Sequence, residues 1–249
     1  MRVVSFLDSV FGLNKIWLRD FCNYYRTRGL SDKIKWHCQT RVDLIDEERV
    51  RLMKDAGCVL VDLGIESGDS HVRNQIYQKD ISDIEIGRAI KILKKLKVPY
   101  RINMIVGGPW DSRDTIFESL RLIDLTQPII TRFTFYQPLP GTALYETTTS
   151  LQLKNELIKG RLNVWDYPRF TVRGMSRGRL SGLMWQLRLK KVLRAILYGF
   201  RCKGINLLGD IFNYIKNSCI PLDHPYTYLN LVDYLEQEYV KYRAKSGFP

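Results

Sequence analysis

Five short apolar runs, each separated from the next by a stretch with helical spacing, restrict what this chain can fold into more than any other feature. The runs are residues 3–7, 33–38, 59–65, 100–106 and 129–136. Between the first two, residues 15–28 carry Ile16, Leu18, Phe21, Cys22 and Tyr25 at helical intervals, and Gly29 closes the segment. The next helix opens at Asp46-Glu47-Glu48, runs through Met53 and ends at Gly57, with acidic residues in its positive first turn. Residues 82–96 predict a third helix with Ile84, Ile86, Ala89, Ile90 and Leu93 on its inner face, and residues 113–126 a fourth. Strands alternating with helices mean βαβ units and a parallel sheet. Right-handed crossovers wind such a chain into a barrel or a doubly wound sheet, and in either one ligands sit at the C-terminal strand ends.

The residues with chemical potential fall at those ends: Asp8-Ser9, Arg41, Glu66-Ser67-Gly68, Gly107-Gly108-Pro109 and Pro138-Leu139-Pro140-Gly141-Thr142. The first run begins by residue 3 with no cap or partner before it, and so apolar a parallel strand expects neighbours on both sides. One further βα unit upstream is therefore expected. Tyr136 and Gln137 are placed near the mouth, without an assigned role.

Charge divides the chain. Residues 1–158 hold 23 Lys/Arg against 20 Asp/Glu, whereas residues 159–216 hold 13 basic and 2 acidic residues. The net charge of +13 thus belongs to one segment, which points to a separate unit with its own partner. The expected division is a barrel over 1–150 and a basic, mostly helical extension over 151–249. In that extension, residues 182–200 form an amphipathic pattern, with Trp185, Leu189, Val192, Leu193, Ile196 and Leu197 on one side and Arg188, Lys190, Lys191 and Arg194 on the other. Packing on the barrel with a solvated basic face and contact with an anionic membrane surface both fit. Nucleic acid fits less well, because no fingerprint is present and the aromatic side belongs to the apolar stripe. No apolar run is long enough to span a bilayer, and Asp8 interrupts the first one too early for a signal peptide.

Cys22, Cys38, Cys58, Cys202 and Cys219 are scattered, with no pair at close metal-ligand spacing, and His37, His71 and His224 are equally dispersed. An odd cysteine count without a framework argues against a secreted disulfide protein and for reduced thiols in the cytoplasm. Cytoplasmic residence, with the membrane surface open to the basic segment, is the expected location.

Six segments taken in order resemble the radical S-adenosylmethionine (radical SAM) core domain, and most of all members that carry an upstream cobalamin-binding domain. They are Phe6-Leu7-Asp8-Ser9-Val10-Phe11, Trp36-His37-Cys38-Gln39-Thr40-Arg41-Val42-Asp43, Met53-Lys54-Asp55-Ala56-Gly57-Cys58, Gly64-Ile65-Glu66-Ser67-Gly68, Ile105-Val106-Gly107-Gly108-Pro109, and the stretch from Pro138 to Tyr145. The resemblance implies an α/β fold, an incomplete parallel (β/α) TIM-type barrel. It implies S-adenosylmethionine as cofactor, a [4Fe–4S] cluster, and in some members cobalamin. Family chemistry is reductive cleavage of the sulfonium to a 5′-deoxyadenosyl radical that takes a hydrogen atom from a small-molecule substrate. By resemblance, Asp8 accepts from the cofactor's ammonium, Arg41 forks onto its carboxylate or pairs with Asp43, Glu66 with Ser67 meets the ribose, and Gly107 and Gly108 lie against adenine. Asp111 fills the position of an acid that usually follows in the family. Trp110 stands where a small residue is common, either stacking on the ligand or covering the mouth.

The departure from the family is the missing CxxxCxxC motif, whose three thiolates hold the cluster. The chain is thus expected to be a portion of a longer enzyme, inactive alone and completed by an upstream domain or chain. A degenerate remnant or scaffold, and an RNA-modifying radical SAM protein, are the alternatives.

Overall fold

The structure is a computed structural model, and it describes residues 2–150 and 172–184. Two compact units divide the chain, residues 1–180 with 249 and residues 181–248. The sheet and its helices lie in the first. The amphipathic pattern at 182–200 and the cysteines at 202 and 219 fall almost wholly outside the described residues. No helix among the described residues is long and apolar enough to cross a membrane.

Five strands form one sheet in consecutive order: β1 (Arg2–Phe6), β2 (Ile34–Thr40), β3 (Cys58–Glu66), β4 (Tyr100–Val106) and β5 (Ile130–Phe135). Every adjacent pair is parallel. The helices are α1 (Lys15–Thr27), the short α2 (Leu30–Lys33), α3 (Glu47–Asp55), α4 (Asp83–Lys95), α5 (Arg113–Thr126) and α6 (Ala143–Ser150). The alternating pattern predicts a parallel sheet, in a barrel or doubly wound, and the arrangement found is the incomplete parallel barrel that the resemblance implies. The short α2 was not legible in the sequence. It follows Gly29, whose φ of 62° makes the turn that ends α1.

Side-chain alternation sorts the strands into two faces. Trp36, Cys38, Val61, Leu63, Ile65, Tyr100, Ile102 and Met104 join one buried cluster with Leu18 and Cys22 of α1, Val50 and Met53 of α3, and Ile86, Ala89, Ile90 and Leu93 of α4. At about 25 cal/mol per Å² of apolar surface, this cluster is the main stabilising term. Two apolar positions assigned inward by periodicity face out: Ile84 is 84% exposed and Ile16 69%. Each sits in the first turn of its helix, nearly opposite the buried stripe, so the apolar spacing overran the true face.

The other face is polar. His37 opposes Leu60, Gln39 opposes Asp62, Asp62 opposes Arg101, and Asn103 opposes Arg132 in the strand register. Asp62, the acid that interrupts the third apolar run, is held here. Arg101 forks onto its carboxylate at 2.8 and 2.9 Å, with both residues buried. His37 Nδ1 lies 3.9 Å from the same carboxylate. The five-stranded sheet curls, and across this face His37 on β2 also feels the charge of Arg132 on β5. Burial holds the His37 imidazole below its ordinary pKa.

The segment between β3 and α4 is organised by one buried cation. Arg73, in a π-helical turn at Val72–Ile76, is fully buried. Its Nε donates to the Ile81 carbonyl at 2.9 Å, and one terminal nitrogen to the carbonyls of Ser67 and Gly68 at 3.1 and 3.3 Å. The other terminal nitrogen reaches Asp83 Oδ1 at 2.6 Å. Asn74 adds a two-way bond with the main chain of Ile81. Replacing Arg73 by Met would take the guanidinium donor from the Ser67 and Gly68 carbonyls and leave the Ile81 carbonyl to Asn74 alone. Arg73→Met is therefore expected to destabilise the protein by about 3 kcal/mol or more. Urea denaturation monitored by circular dichroism checks this, and a loss under about 1 kcal/mol would refute the assignment.

Candidate functional site at the C-terminal strand ends

Because all strands are parallel, the segments following β1 to β5 emerge on one edge of the sheet. At the end of β3 the backbone departs from regular strand. Pairing with β4 slips between Gly64 and Glu66, and Glu66 takes φ 70°, a left-handed conformation that costs a non-glycine residue about 1 kcal/mol or more. The bulge folds the Glu66 side chain back over Gly64, where an added Cβ would stand 2.6 Å from Glu66 Oε1. Lys79 Nζ, from the segment that Arg73 organises, is 2.8 Å from that oxygen. The Glu66 side chain is 13% exposed, so the carboxylate is sheltered but open on one side.

The other residues singled out by sequence are placed as follows. Asp8 stands exposed two positions beyond β1. Arg41 follows β2 and forks onto Asp43 at 2.9 and 3.2 Å, the ion pair that the sequence left open as one of its two roles. Its guanidinium also donates to the Lys79 carbonyl at 3.2 Å, which joins the β2 end to the loop facing Glu66. Ser67 is buried, its Oγ accepting from the Asp69 N–H at 3.2 Å. Gly68 has a packing reason for lacking a side chain: an added Cβ would lie 2.4 Å from the Glu118 carbonyl of α5.

Gly107, at φ 81°, turns the chain out of β4. The Gly108 N–H donates to Asp111 Oδ2 at 3.0 Å, and Asp111 Oδ1 accepts from the Thr115 hydroxyl at 3.3 Å. Asp111 thus shapes the glycine turn from beneath. A segment from the extension clamps the same turn: Arg113 N–H donates to the Arg173 carbonyl at 2.9 Å, and Arg173 N–H to the Asp111 carbonyl at 3.2 Å. Burial pushes the Asp111 carboxyl up to about 6, against the bonds from Gly108, Gly107 and Thr115 that favour its charged form.

Above this turn sits an aromatic group. Trp110 meets Tyr77 edge-on at 5.6 Å and Tyr136 at 4.6 Å between ring centres. Neither the Tyr77 hydroxyl nor Trp110 Nε1 has a partner in hydrogen-bond geometry. Burial raises the Tyr77 hydroxyl well above its ordinary pKa, and the negative charge of Asp111 adds to the shift. Sequence reasoning missed Tyr77, Lys79 and Arg73. They lie in a segment without periodicity, and only tertiary contacts reveal their place.

The edge carries groups that a diol and a purine can meet. Glu66 offers a sheltered acceptor, Asn103 Oδ1 is a buried acceptor without a partner, and Tyr77 and Trp110 supply donors without partners. An iron–sulfur cluster does not fit the described residues. They contain no group of three His, Cys, Asp or Glu able to hold a metal ion. Cys22, Cys38 and Cys58 are buried as free thiols. Burial pushes the Cys22 thiol up to about 12. The Cys38 thiol is raised by a hydrogen bond with Cys58 and by burial. Thiols so raised stay protonated, whereas a cluster takes thiolates. Cys58 is the first residue of β3, one position ahead of the apolar run at 59–65.

The fold is a parallel half-barrel with its candidate site at the C-terminal edge, and residues 13–123 match the radical SAM superfamily model. An anaerobic magnesium-protoporphyrin IX monomethyl ester cyclase of Cereibacter sphaeroides is 26% identical over 82% of this chain and 34% of its own length. An uncharacterized methyltransferase of Pyrococcus horikoshii is 30% identical over 59% of this chain and 31% of its own. The chain thus spans about a third of these relatives. Among solved structures, the radical S-adenosylmethionine methyltransferase TsrM of Kitasatospora setae, with cobalamin and a [4Fe-4S] cluster bound, superposes with a TM-score of 0.54 at 15% identity. That match covers 64% of this chain and 30% of that one, and it carries the fold.

Asp111 yields a pH signature. Its folded-state pKa of about 6 exceeds the ordinary 3.8, so the folded protein keeps a proton that the unfolded chain releases between those values. Its contribution to stability is full below about pH 4 and is lost as pH rises through about 6, a change of up to about 3 kcal/mol. Asp111→Asn keeps one oxygen for the Gly108 N–H and cannot titrate. The wild-type chain is expected to lose stability relative to Asp111→Asn between pH 4.5 and 7.5. Parallel urea midpoints at the two pH values would disprove it.

Proposed function

We propose that this chain is the S-adenosylmethionine-binding portion of a radical SAM enzyme, with the cofactor at the C-terminal mouth of the half-barrel. The observation that carries the reading is Glu66: a strained bulge turns its carboxylate over Gly64 at the mouth, within the stretch that matches the family. The cofactor supplies the sulfonium that this family cleaves reductively. The protein binds, orients and excludes water.

Glu66 accepts from the ribose hydroxyls, and Lys79 holds the carboxylate in place until they arrive. Asp8 meets the ammonium. Arg41 reaches the methionyl carboxylate by exchanging it for Asp43, and its bond to the Lys79 carbonyl couples that exchange to the Glu66 loop. Gly107 and Gly108 lie against adenine, with Ser67 anchoring the turn behind Glu66. A small-molecule substrate then lies on the curled polar face, near His37 and Asn103. The cyclase and methyltransferase relatives support methylation or rearrangement of such a molecule, with cobalamin in an upstream domain.

The open side of the sheet suits such a domain. Within the described sheet β1 pairs with β2 alone, and Val4, Leu7, Leu13, Ile16 and Trp17 are exposed beside it. An added βα unit would cover them. The cluster ligands are then supplied from outside the described residues, in cytoplasmic surroundings and with the basic extension available to a membrane surface. A scaffold without a ligand gives no reason to keep a strained, aimed carboxylate. An RNA substrate has no supporting feature among the described residues.

Glu66→Gln is expected to weaken binding of S-adenosylhomocysteine at least tenfold with the fold intact, read by calorimetry. Equal affinity would end the assignment. The isolated chain, reconstituted anaerobically with iron and sulfide, is expected to yield no 5′-deoxyadenosine above background. Supplying an upstream segment with CxxxCxxC should restore it. Sustained 5′-deoxyadenosine from the isolated chain, lost on Cys22→Ala, Cys38→Ala or Cys58→Ala, would place the cluster on this chain instead.

A further inference from the structure

Trp110 lies where the glycine turn after β4 would otherwise be open. A Cβ on Gly108 would stand 2.6 Å from Trp110 Cε2, 2.7 Å from Nε1 and 2.8 Å from Cζ2. The indole is therefore pressed against the Gly108 backbone, in the space that the missing side chain leaves. Tyr77 and Tyr136 bound the same space with their rings. An indole and a purine are both flat, fused five- and six-membered rings of similar size. A slot that accepts one accepts the other.

We infer that Trp110 occupies the adenine slot of its own protein, so that an adenine-bearing ligand binds only by displacing the indole. This rests on the cofactor reading above and deepens it: Trp110 becomes the residue that sets the cofactor's affinity. Two further observations carry it. First, the indole is held by its ring contacts and its packing on Gly108, and Nε1 has no partner in hydrogen-bond geometry. The ring of Tyr77 packs edge-on against the indole, and its buried hydroxyl has no partner, which leaves it available to the ring nitrogens of an incoming purine. Second, the backbone on either side is fixed. Asp111 holds Gly108, and Arg173 clamps Asp111 and Arg113. The indole thus leaves by side-chain rotation rather than by opening the loop. An occupied slot lowers the apparent affinity by the fraction of molecules in which it is free.

The test compares S-adenosylhomocysteine and adenosine binding to the wild-type chain, Trp110→Ala and Trp110→Phe, by calorimetry and stopped flow. Trp110→Ala is expected to bind both ligands about tenfold more tightly. Its association rate should rise linearly with ligand concentration, where the wild-type rate saturates at the rate of indole departure. Trp110→Phe, with a smaller ring and retained packing, should fall between, and it decides the matter if the alanine variant does not fold. Unchanged or weaker binding by the variants would overturn the inference and make Trp110 a stacking partner or a simple cover. Failure of every form, wild type included, to bind S-adenosylhomocysteine would instead remove the cofactor reading itself.

Discussion

Arg73 holds the half-barrel's working edge together. A guanidinium buried without partners would cost far more than any single contact returns, so its burial here is stable only because each of its three nitrogens finds oxygen. Three of those oxygens are main-chain carbonyls, two just beyond β3 and one just before α4. The cation thereby fixes the loop that delivers Tyr77 and Lys79. Without that loop, Glu66 would project from a bulge with nothing to orient it.

The strain at Glu66 and the pairing around it belong together. A left-handed glutamate is unfavourable alone, and the surrounding structure sustains it through the register slip, the close fit over Gly64 and the Lys79 ammonium. The same edge contains a second costly group, the buried Asp111 carboxyl, kept by the backbone bonds it makes beneath Gly108. Uncompensated polar atoms, Tyr77 Oη and Trp110 Nε1, complete the set. Strain, a shifted acid and unmet donors collect at one edge, while the helix-facing side of the sheet is an ordinary apolar core. Such local departures from good packing are expected where a ligand is to be received.

The curled inner face contrasts with the filled interior of a closed barrel. Asp62 and Arg101 satisfy one another across β3 and β4, which makes a polar face tolerable beside an otherwise apolar sheet. A face so lined can receive a polar or charged molecule without stranding buried charge.

Periodicity was enough to determine the five strands, their parallel arrangement and the helices between them, because alternating apolar runs and helical stripes admit few other packings. It also placed Glu66, Gly107 and Gly108 at strand ends, since a strand's end is a local property. Helix faces were legible except at their first turns, where Ile16 and Ile84 continue the apolar spacing but have no neighbour to pack on. The pairing of Arg41 with Asp43, the packing purpose of Gly68 and the placement of Trp110 over Gly108 were decided only by the tertiary structure. So were Arg73, Tyr77 and Lys79, which sit in a segment with no period. Each of these roles is set by a partner 2 to 51 positions away along the chain. Which partner a side chain finds depends on the curvature of the sheet and the path of its loops, and no spacing in the sequence encodes either.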